Sequence, residues 1–487
     1  MTAFSFPDDL TRDEARHPRG SFATLAACLW LGLFPLLHFG TYTTLTRDKW
    51  ICMFLLLAVT VFCLLADGSR NRLVRPARLP ALLAGLLLGW MVLSCLASEY
   101  GADDWWIGAS ARKEGLLTQI CYLMLFFCFA CARISIFPVL CSAVLGVLVF
   151  LIMALIQRAG VNLFGLYPPK TSYLTNPEFQ GPMGNVDMGA GYLCLMSGLF
   201  LSGLCQAFRK RRNEPGKANY ASCASKPPER SIHSPETDRN TNGHGKSECH
   251  TPENRIHKLR FPREHVLLYT LCLVGLALSV FLLFTMDVSF ALISLGAVFL
   301  LALLGFFPRR VQIIVMIALI VLVFLVLWLW PGQSGTLWEM HEILQGRAQP
   351  SYGHNRVAVW TYSLRLAGER LLPGGGSDTF EPRFNTWLRE NSLTIPKKQG
   401  KLLLPSYFDN PHNEYLAQLV NHGLPALLLY LALILTAVFH PRFRRSPFRF
   451  AVFAYAVQAF FSFSICVLAP MFWVTLGLCC SETTNQT

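Results

Sequence analysis

Residues 311–330 read VQIIVMIALIVLVFLVLWLW, without a single charge. As an α-helix this run would rise about 30 Å, the thickness of the hydrocarbon core of a bilayer. A helix apolar on every side has no surface to offer water, so the run predicts a membrane span. Comparable runs recur at 21–40, 50–66, 79–97, 116–132, 134–156, 188–207, 266–286, 288–306, 414–438, 449–468 and 469–480. The composition agrees. Of 487 residues 53% are hydrophobic and 15% charged, and the mean hydropathy is +0.41, whereas globular chains carry about 25% charged residues. An ordinary soluble enzyme, a secreted disulfide scaffold and a disordered chain are excluded. The expectation is an all-α polytopic membrane protein with about 12 transmembrane helices. The last run is short and meets its predecessor at Pro470, so eleven spans with a re-entrant end is the other reading.

The charge balance is +13, from 42 Lys+Arg against 29 Asp+Glu. The short loops place it: Arg70, Arg72, Arg75 and Arg78 against Asp67, then Arg309 and Arg310, then Arg442, Arg444 and Arg445. Threading twelve spans puts all of these on one side, which the positive-inside rule makes cytoplasmic, together with both termini. The surplus charge is then topology signal and not a nucleic-acid footprint. Of the 16 cysteines only Cys223 and Cys249 fall outside apolar stretches, so no disulfide framework is implied.

The chain divides into helices one to six (1–207), a polar insertion (208–264), helices seven to nine (265–330), a large outer loop (331–412) and helices ten to twelve (413–487). The insertion is rich in Ser, Pro, Asn and Lys/Arg and reads as disordered and cytosolic. Its His244, Cys249, His250 and His257 lack zinc-ligand spacing. The outer loop has Trp338, Tyr352, Trp360, Tyr362, Trp387, glycines and both charges, so it reads as a partly helical, folded segment where chemistry would reside.

Four stretches could carry that chemistry. Residues 355–371 (NRVAVWTYSLRLAGERL) space Val357, Trp360, Leu364, Ala367 and Leu371 as one face of an amphipathic helix lying in the interface, with Arg356 in its first turn. Pro373-Gly374-Gly375-Gly376 ends it. Residues 410–416 (NPHNEYL) suggest a helix start with Asn410 as N-cap and Pro411 at N1, which puts His412 in the first turn, where the helix dipole disfavours imidazolium. Residues 98–115 (SEYGADDWWIGASARKEG) hold Asp103, Asp104 and Arg112. Residues 181–189 (GPMGNVDMG) hold Asn185 and Asp187 before a span. Each has a plainer reading: a surface arginine and a flexible turn, an interfacial histidine, a solvated loop, a helix cap.

In their order, these stretches resemble the O-antigen ligase/O-antigen polymerase superfamily of bacterial membrane glycosyltransferases, with a GT-C-like all-helical fold. The family's G-x-x-x-R-x-x-G-L is matched by Gly108, Arg112, Gly115 and Leu116. Its G-x-x-G-N-x-[ND] turn is matched by Gly181, Gly184, Asn185 and Asp187. R-x-x-x-W is matched by Arg356 and Trp360, G-x-G-x-x-x-F by Gly374, Gly376 and Phe380, and H-N-x-Y-L by His412, Asn413, Tyr415 and Leu416; Gly423 follows where a glycine fits. Leu371 stands where the family often has proline, and the 208–264 insertion is unusually long. The resemblance implies a metal-independent, inverting transfer without cofactor at the outer face of a bacterial inner membrane. The donor would be a glycan on undecaprenyl pyrophosphate, the acceptor a glycan, lipid or protein, and a flippase or chain-length regulator a candidate partner. It implies Arg356 and Arg112 on the diphosphate, with Arg347 and Arg365 as further candidates, and His412 as base or orienting group. Asn413, Gly374, Gly376, Asn185 and Asp187 would line the substrate. A protein O-oligosaccharyltransferase of the same superfamily and, from another class, a polytopic transporter are the alternatives.

Overall fold

The computed structural model describes residues 21–167, 181–213, 263–286, 288–393 and 408–481. Of the insertion expected at 208–264, residues 214–262 therefore lie outside the described residues, while 208–213 and 263–264 belong to helices. Among the described residues every long element is a helix, and a lone bridge joins Pro76 to Ser481. The first six helices are α1 (Phe22–Leu36), α2 (Leu45–Gly68), α3 (Arg78–Leu96), α4 (Ala102–Ile107), α5 (Leu116–Ala130) and α6 (Ile136–Arg158). They are followed by α7 (Val186–Asn213), α8 (Arg263–Met286), α9 (Ser289–Leu304) and α10 (Arg309–Trp328). The large loop adds α11 (Thr336–Leu344), α12 (Arg356–Glu369) and α13 (Phe380–Glu390), and the chain closes with α14 (Glu414–Phe439), α15 (Arg449–Ala459) and α16 (Ala469–Cys479).

Among the described residues seven helices, α2, α3, α6, α7, α8, α10 and α14, are long and apolar enough to cross a membrane, and α1, α5, α9 and α16 are shorter apolar helices. The protein is a helical membrane protein. Its apolar helices occupy very different places. The span within α7 is wholly buried and forms the centre of the bundle, whereas that of α10 has no buried residue. An apolar helix without protein cover is stable only where lipid takes the place of water.

One expected span is not a single helix. The run 449–468 is helical only as far as Ala459, and α15 and α16 are eleven residues each, roughly 16 Å at 1.5 Å per residue. The irregular backbone between them is covered by protein: Phe463, Ile465 and Cys466 are buried. Non-helical chain at membrane depth is tolerated under such cover. Lys49 performs a similar service for α1. It is fully buried and donates Nζ to Phe34 O (2.7 Å) and Pro35 O (2.8 Å), setting a cation on the carbonyl end of a short helix.

The loop helices build a small core of their own, in which Val359, Leu366, Phe380, Phe384 and Trp387 meet Leu416 and Val420 of α14. The buried face of α12 differs from the expected one. Ala358, Val359, Ser363, Leu366 and Ala367 face inward, and Leu364 and Leu371 face out. Packing against α14 rotates the helix away from the stripe that hydrophobicity alone selects.

That packing depends on a break in α14. Gly423 is non-helical (φ 79°, ψ 177°) and Pro425 follows it. Proline has no N–H to give Asn421 O, and the turn at Gly423 disrupts the neighbouring helical bonds. The freed carbonyls are all taken from outside. Val420 O accepts from Gly375 N (3.1 Å) and Arg383 Nη1 (2.8 Å). Asn421 O accepts from Gly376 N (2.7 Å) and Ser94 Oγ (3.0 Å), and His422 O from Trp90 Nε1 (2.9 Å). In return Leu424 N donates to Leu371 O at 2.8 Å. A Cβ on Gly423 would collide with the Leu372 carbonyl, and one on Gly374 with the backbone of Asn421 and Gly423. Gly423→Ala is expected to cost about 2 kcal/mol or more through strain and lost packing. Gly89→Ala in α3, where a Cβ meets nothing within 4 Å, should be neutral or slightly stabilising. Thermal unfolding of both variants in detergent makes the comparison, and equal melting temperatures would contradict this account.

Candidate active site

The break in α14 sets up the site one short helical stretch away, at the end of the bundle where the 98–115 loop and the loop helices meet. Asn413 is the N-cap of α14, its Oδ1 accepting from Leu416 N at 3.0 Å. His412 thus lies before the helix and not in its first turn, as the sequence suggested, and takes a left-handed φ of 49°. Asn410 fixes that conformation, its Oδ1 accepting from His412 N at 2.8 Å. The imidazole meets Phe463 edge to face, with ring centroids 5.6 Å apart. The pKa of His412 is pushed down to about 4, first by burial and then by the charges of Arg356 and Arg112, with Asp409 opposing. The neutral imidazole expected from a helix dipole is present for a different reason: desolvation and two guanidinium neighbours.

The pairing of Arg356 with Trp360 has a mechanical reading. Both lie on one face of α12, four residues apart. Trp360 Nε1 donates to Pro411 O at 2.8 Å and its ring packs edge-on to Phe460 at 5.4 Å. Anchoring the indole next to His412 brings Arg356 within electrostatic reach of the imidazole. The guanidinium of Arg356 lies 5.6 Å over Phe290 and feels Asp187. Asp187 is set in the first turn of α7 by Asn185, whose Oδ1 accepts from Asp187 N at 2.7 Å.

Arg112 arrives from the opposite side. It sits 3.8 Å over the Phe463 ring and is paired with Asp409, with Nη2 to Oδ2 at 2.6 Å and Nε to Oδ2 at 2.8 Å. The turn that carries it is held by Asp378. That carboxylate accepts from Ser110 Oγ (2.7 Å), Ser110 N (3.1 Å) and Glu114 N (3.3 Å). Burial pushes Asp378 up to about 6 against those hydrogen bonds. Gly108, with φ 117°, is the residue that lets Asp378 approach, because a Cβ there would strike its carboxylate. Gly374 and Gly376, expected to let a loop approach substrate, make their close approaches to α14 and to Ser98.

The remaining expected arginines are elsewhere. Arg347 is exposed and forks onto Glu342 (2.8 and 2.6 Å). Arg365 is exposed and lies over Tyr362, nine residues or roughly 13 Å along the helix from Arg356. Asp103 is exposed, and among the described residues no three metal-ligating side chains gather.

Three groups that sequence reasoning left unassigned stand behind the site. A cavity of about 40 Å³ is lined by Arg112, Glu114, Asp378, Glu414 and His422. Glu114 accepts from Tyr122 Oη (2.6 Å), Gln119 Nε2 and Ser464 Oγ (both 3.2 Å), and burial pushes it up to about 8. Glu414 accepts from Tyr430 Oη (2.6 Å) and Tyr455 Oη (2.9 Å). His422 is held internally, Nδ1–H donating to Gln418 Oε1 (2.9 Å) and Nε2 accepting from Ser377 Oγ (2.8 Å). The signal was present in sequence, since a charged residue at the mouth of an apolar run is expensive unless it has partners, but the tyrosines that supply them could not be read from spacing.

The site therefore sets two guanidiniums, from 98–115 and α12, within electrostatic reach of a neutral imidazole just before α14. No curated protein matches the chain. The family model of O-antigen ligase matches residues 274–431, a stretch that contains Arg356, the glycine turn, His412 and the break in α14. Over that stretch the chain is similar to the O-antigen ligase family.

Proposed function

We propose that this protein transfers a glycan from undecaprenyl pyrophosphate to an acceptor hydroxyl at the outer face of a bacterial inner membrane, with both of its termini cytoplasmic. The observation that carries the proposal is that His412 shares Phe463 with Arg112 and feels the charges of both Arg112 and Arg356. The acceptor oxygen attacks the anomeric carbon, its proton passes to the His412 imidazole, and the bond from that carbon to the diphosphate oxygen breaks. A single displacement of this kind inverts the anomeric centre. The leaving diphosphate gains charge as the bond breaks, and planar guanidiniums held in a partly desolvated site stabilise it. The arginines supply the charge neutralisation that a divalent cation would otherwise supply. Asp187, beside Arg356, orients that guanidinium. Ligation to a lipid acceptor, polymerisation of repeat units and transfer to a protein hydroxyl all fit this chemistry.

With a defined lipid-linked repeat unit, product analysis should show the glycan either lengthened or moved to a second acceptor. His412→Ala should lower the rate about a hundredfold or more while the protein still inserts and folds. Arg356→Lys should also fail, because a point charge does not reproduce the fork. Normal product from either variant would refute these roles. Turnover should persist in EDTA, and its loss would bring a metal into the mechanism.

The pH profile gives an independent test. A base with its pKa near 4 stays neutral in the free protein down to about that pH, so kcat/KM should fall only as the pH drops through it. Bound diphosphate offsets Arg356 and Arg112, the two charges that suppress His412. Its pKa then rises, and the acid limb of kcat should lie at higher pH than that of kcat/KM. Coincident limbs near 6.5 would contradict the assignment.

A further inference from the structure

The fork of Arg112 is already filled. Both Nε and Nη2 donate to Asp409 Oδ2, at 2.8 and 2.6 Å. Asp409 Oδ1 accepts from Asn410 Nδ2 at 2.6 Å, and Asn410 in turn holds the His412 backbone. A guanidinium presents planar N–H donors that fit carboxylate and phosphate oxygens alike, so Oδ2 stands where a phosphate oxygen would be received. Asp409 differs from the other carboxylates around the site. Asp378 and Glu414 are buried and held by neutral donors, whereas Asp409 is partly exposed and its main partner is the cation. It is the acid that can turn into solvent without leaving a buried charge behind. The Arg112 side chain, at 17% exposed and seated on Phe463, stays in place when its partner departs.

We propose that Asp409 is a placeholder carboxylate, which occupies the Arg112 fork in the substrate-free protein and is displaced by a diphosphate oxygen of the donor. The inference rests on the reading of Arg112 as a diphosphate ligand. Without the donor, Arg112 and Arg356 both bear on His412, and a carboxylate on Arg112 limits the accumulation of positive charge there. It also holds the guanidinium in the orientation in which the phosphate oxygen arrives. The exchange of one anion for another makes and breaks only hydrogen bonds and ion pairs, so no covalent step is involved.

The test is binding of inorganic pyrophosphate to the full-length protein in detergent, measured by calorimetry. Asp409→Asn should bind roughly three- to tenfold tighter than wild type, the factor expected from relieving a partly exposed ion pair. The gain should vanish in the Asp409→Asn/Arg112→Ala double variant, whereas a general change of field would survive there. Unchanged or weaker binding by Asp409→Asn, with its melting temperature retained, would overturn the proposal and make Asp409 a residue that positions Arg112. Asp409→Ser replaces the asparagine variant if the latter does not purify as a folded species. If Arg112→Ala alone leaves pyrophosphate affinity unchanged, the assignment of Arg112 to the diphosphate has failed, a result distinct from failure of the exchange.

Discussion

The break in α14 is the constraint on which the site depends. A membrane helix interrupted at Gly423 and Pro425 exposes backbone carbonyls in a place where water cannot repair them, and each orphan would cost several kcal/mol. Here Val420, Asn421 and His422 have donors from the glycine turn, Arg383, Ser94 and Trp90. The cost of interrupting the helix is thereby converted into the force that docks a water-facing loop onto the bundle. Arg383 fits the same scheme. It is 7% exposed, and its burial is compensated because it faces the carbonyl end of the first half of α14, where a cation is favoured.

The docked loop and the start of α14 then place charge in two layers. The guanidiniums of Arg112 and Arg356 bear on the imidazole, while the carboxylates of Asp378, Glu114 and Glu414 are held by hydroxyl and amide donors. Asp378 does its work by geometry. Its three hydrogen bonds gather the Ser110–Glu114 turn, and that turn aims Arg112. The segment between α15 and α16 completes the arrangement, because its irregular backbone carries Phe463 to the face of Arg112 and the edge of His412. A continuous helix over 449–468 would have supplied no such approach.

These dependencies explain what the sequence disclosed. The apolar runs were legible because hydrophobic length is a local property, and α10 is helical over the span its composition predicts. Arg356, Trp360 and His412 were legible as a series because the family motifs preserve their order. Three features required the fold. The face of α12 is chosen by α14 and not by its own periodicity. The cap of α14 is Asn413 because the chain before it turns through a left-handed His412. Asp378 and Asp409 act on residues 268 and 297 positions away, and no spacing rule reports a partner at that distance. Pro425 within an apolar run was a visible sign of a kink, but the donors that make the kink affordable come from three separate segments.

The electrostatics of the mouth follow from that assembly. Burial and two arginines keep His412 neutral, and the same two arginines would weaken it as a base if they remained uncompensated. Under the proposed function, a glycosyl donor bearing a diphosphate would bring two or more negative charges to the guanidiniums, so that binding the leaving group would also strengthen the base. The coupling needs no moving domain. It requires only that the imidazole and the guanidiniums share a low-dielectric pocket, in which each feels the charge of the others. Phe463, wedged between Arg112 and His412, excludes water from the line between them and keeps that coupling strong. On this reading an apolar side chain from an interrupted helix decides how much of the charge of the donor the base experiences.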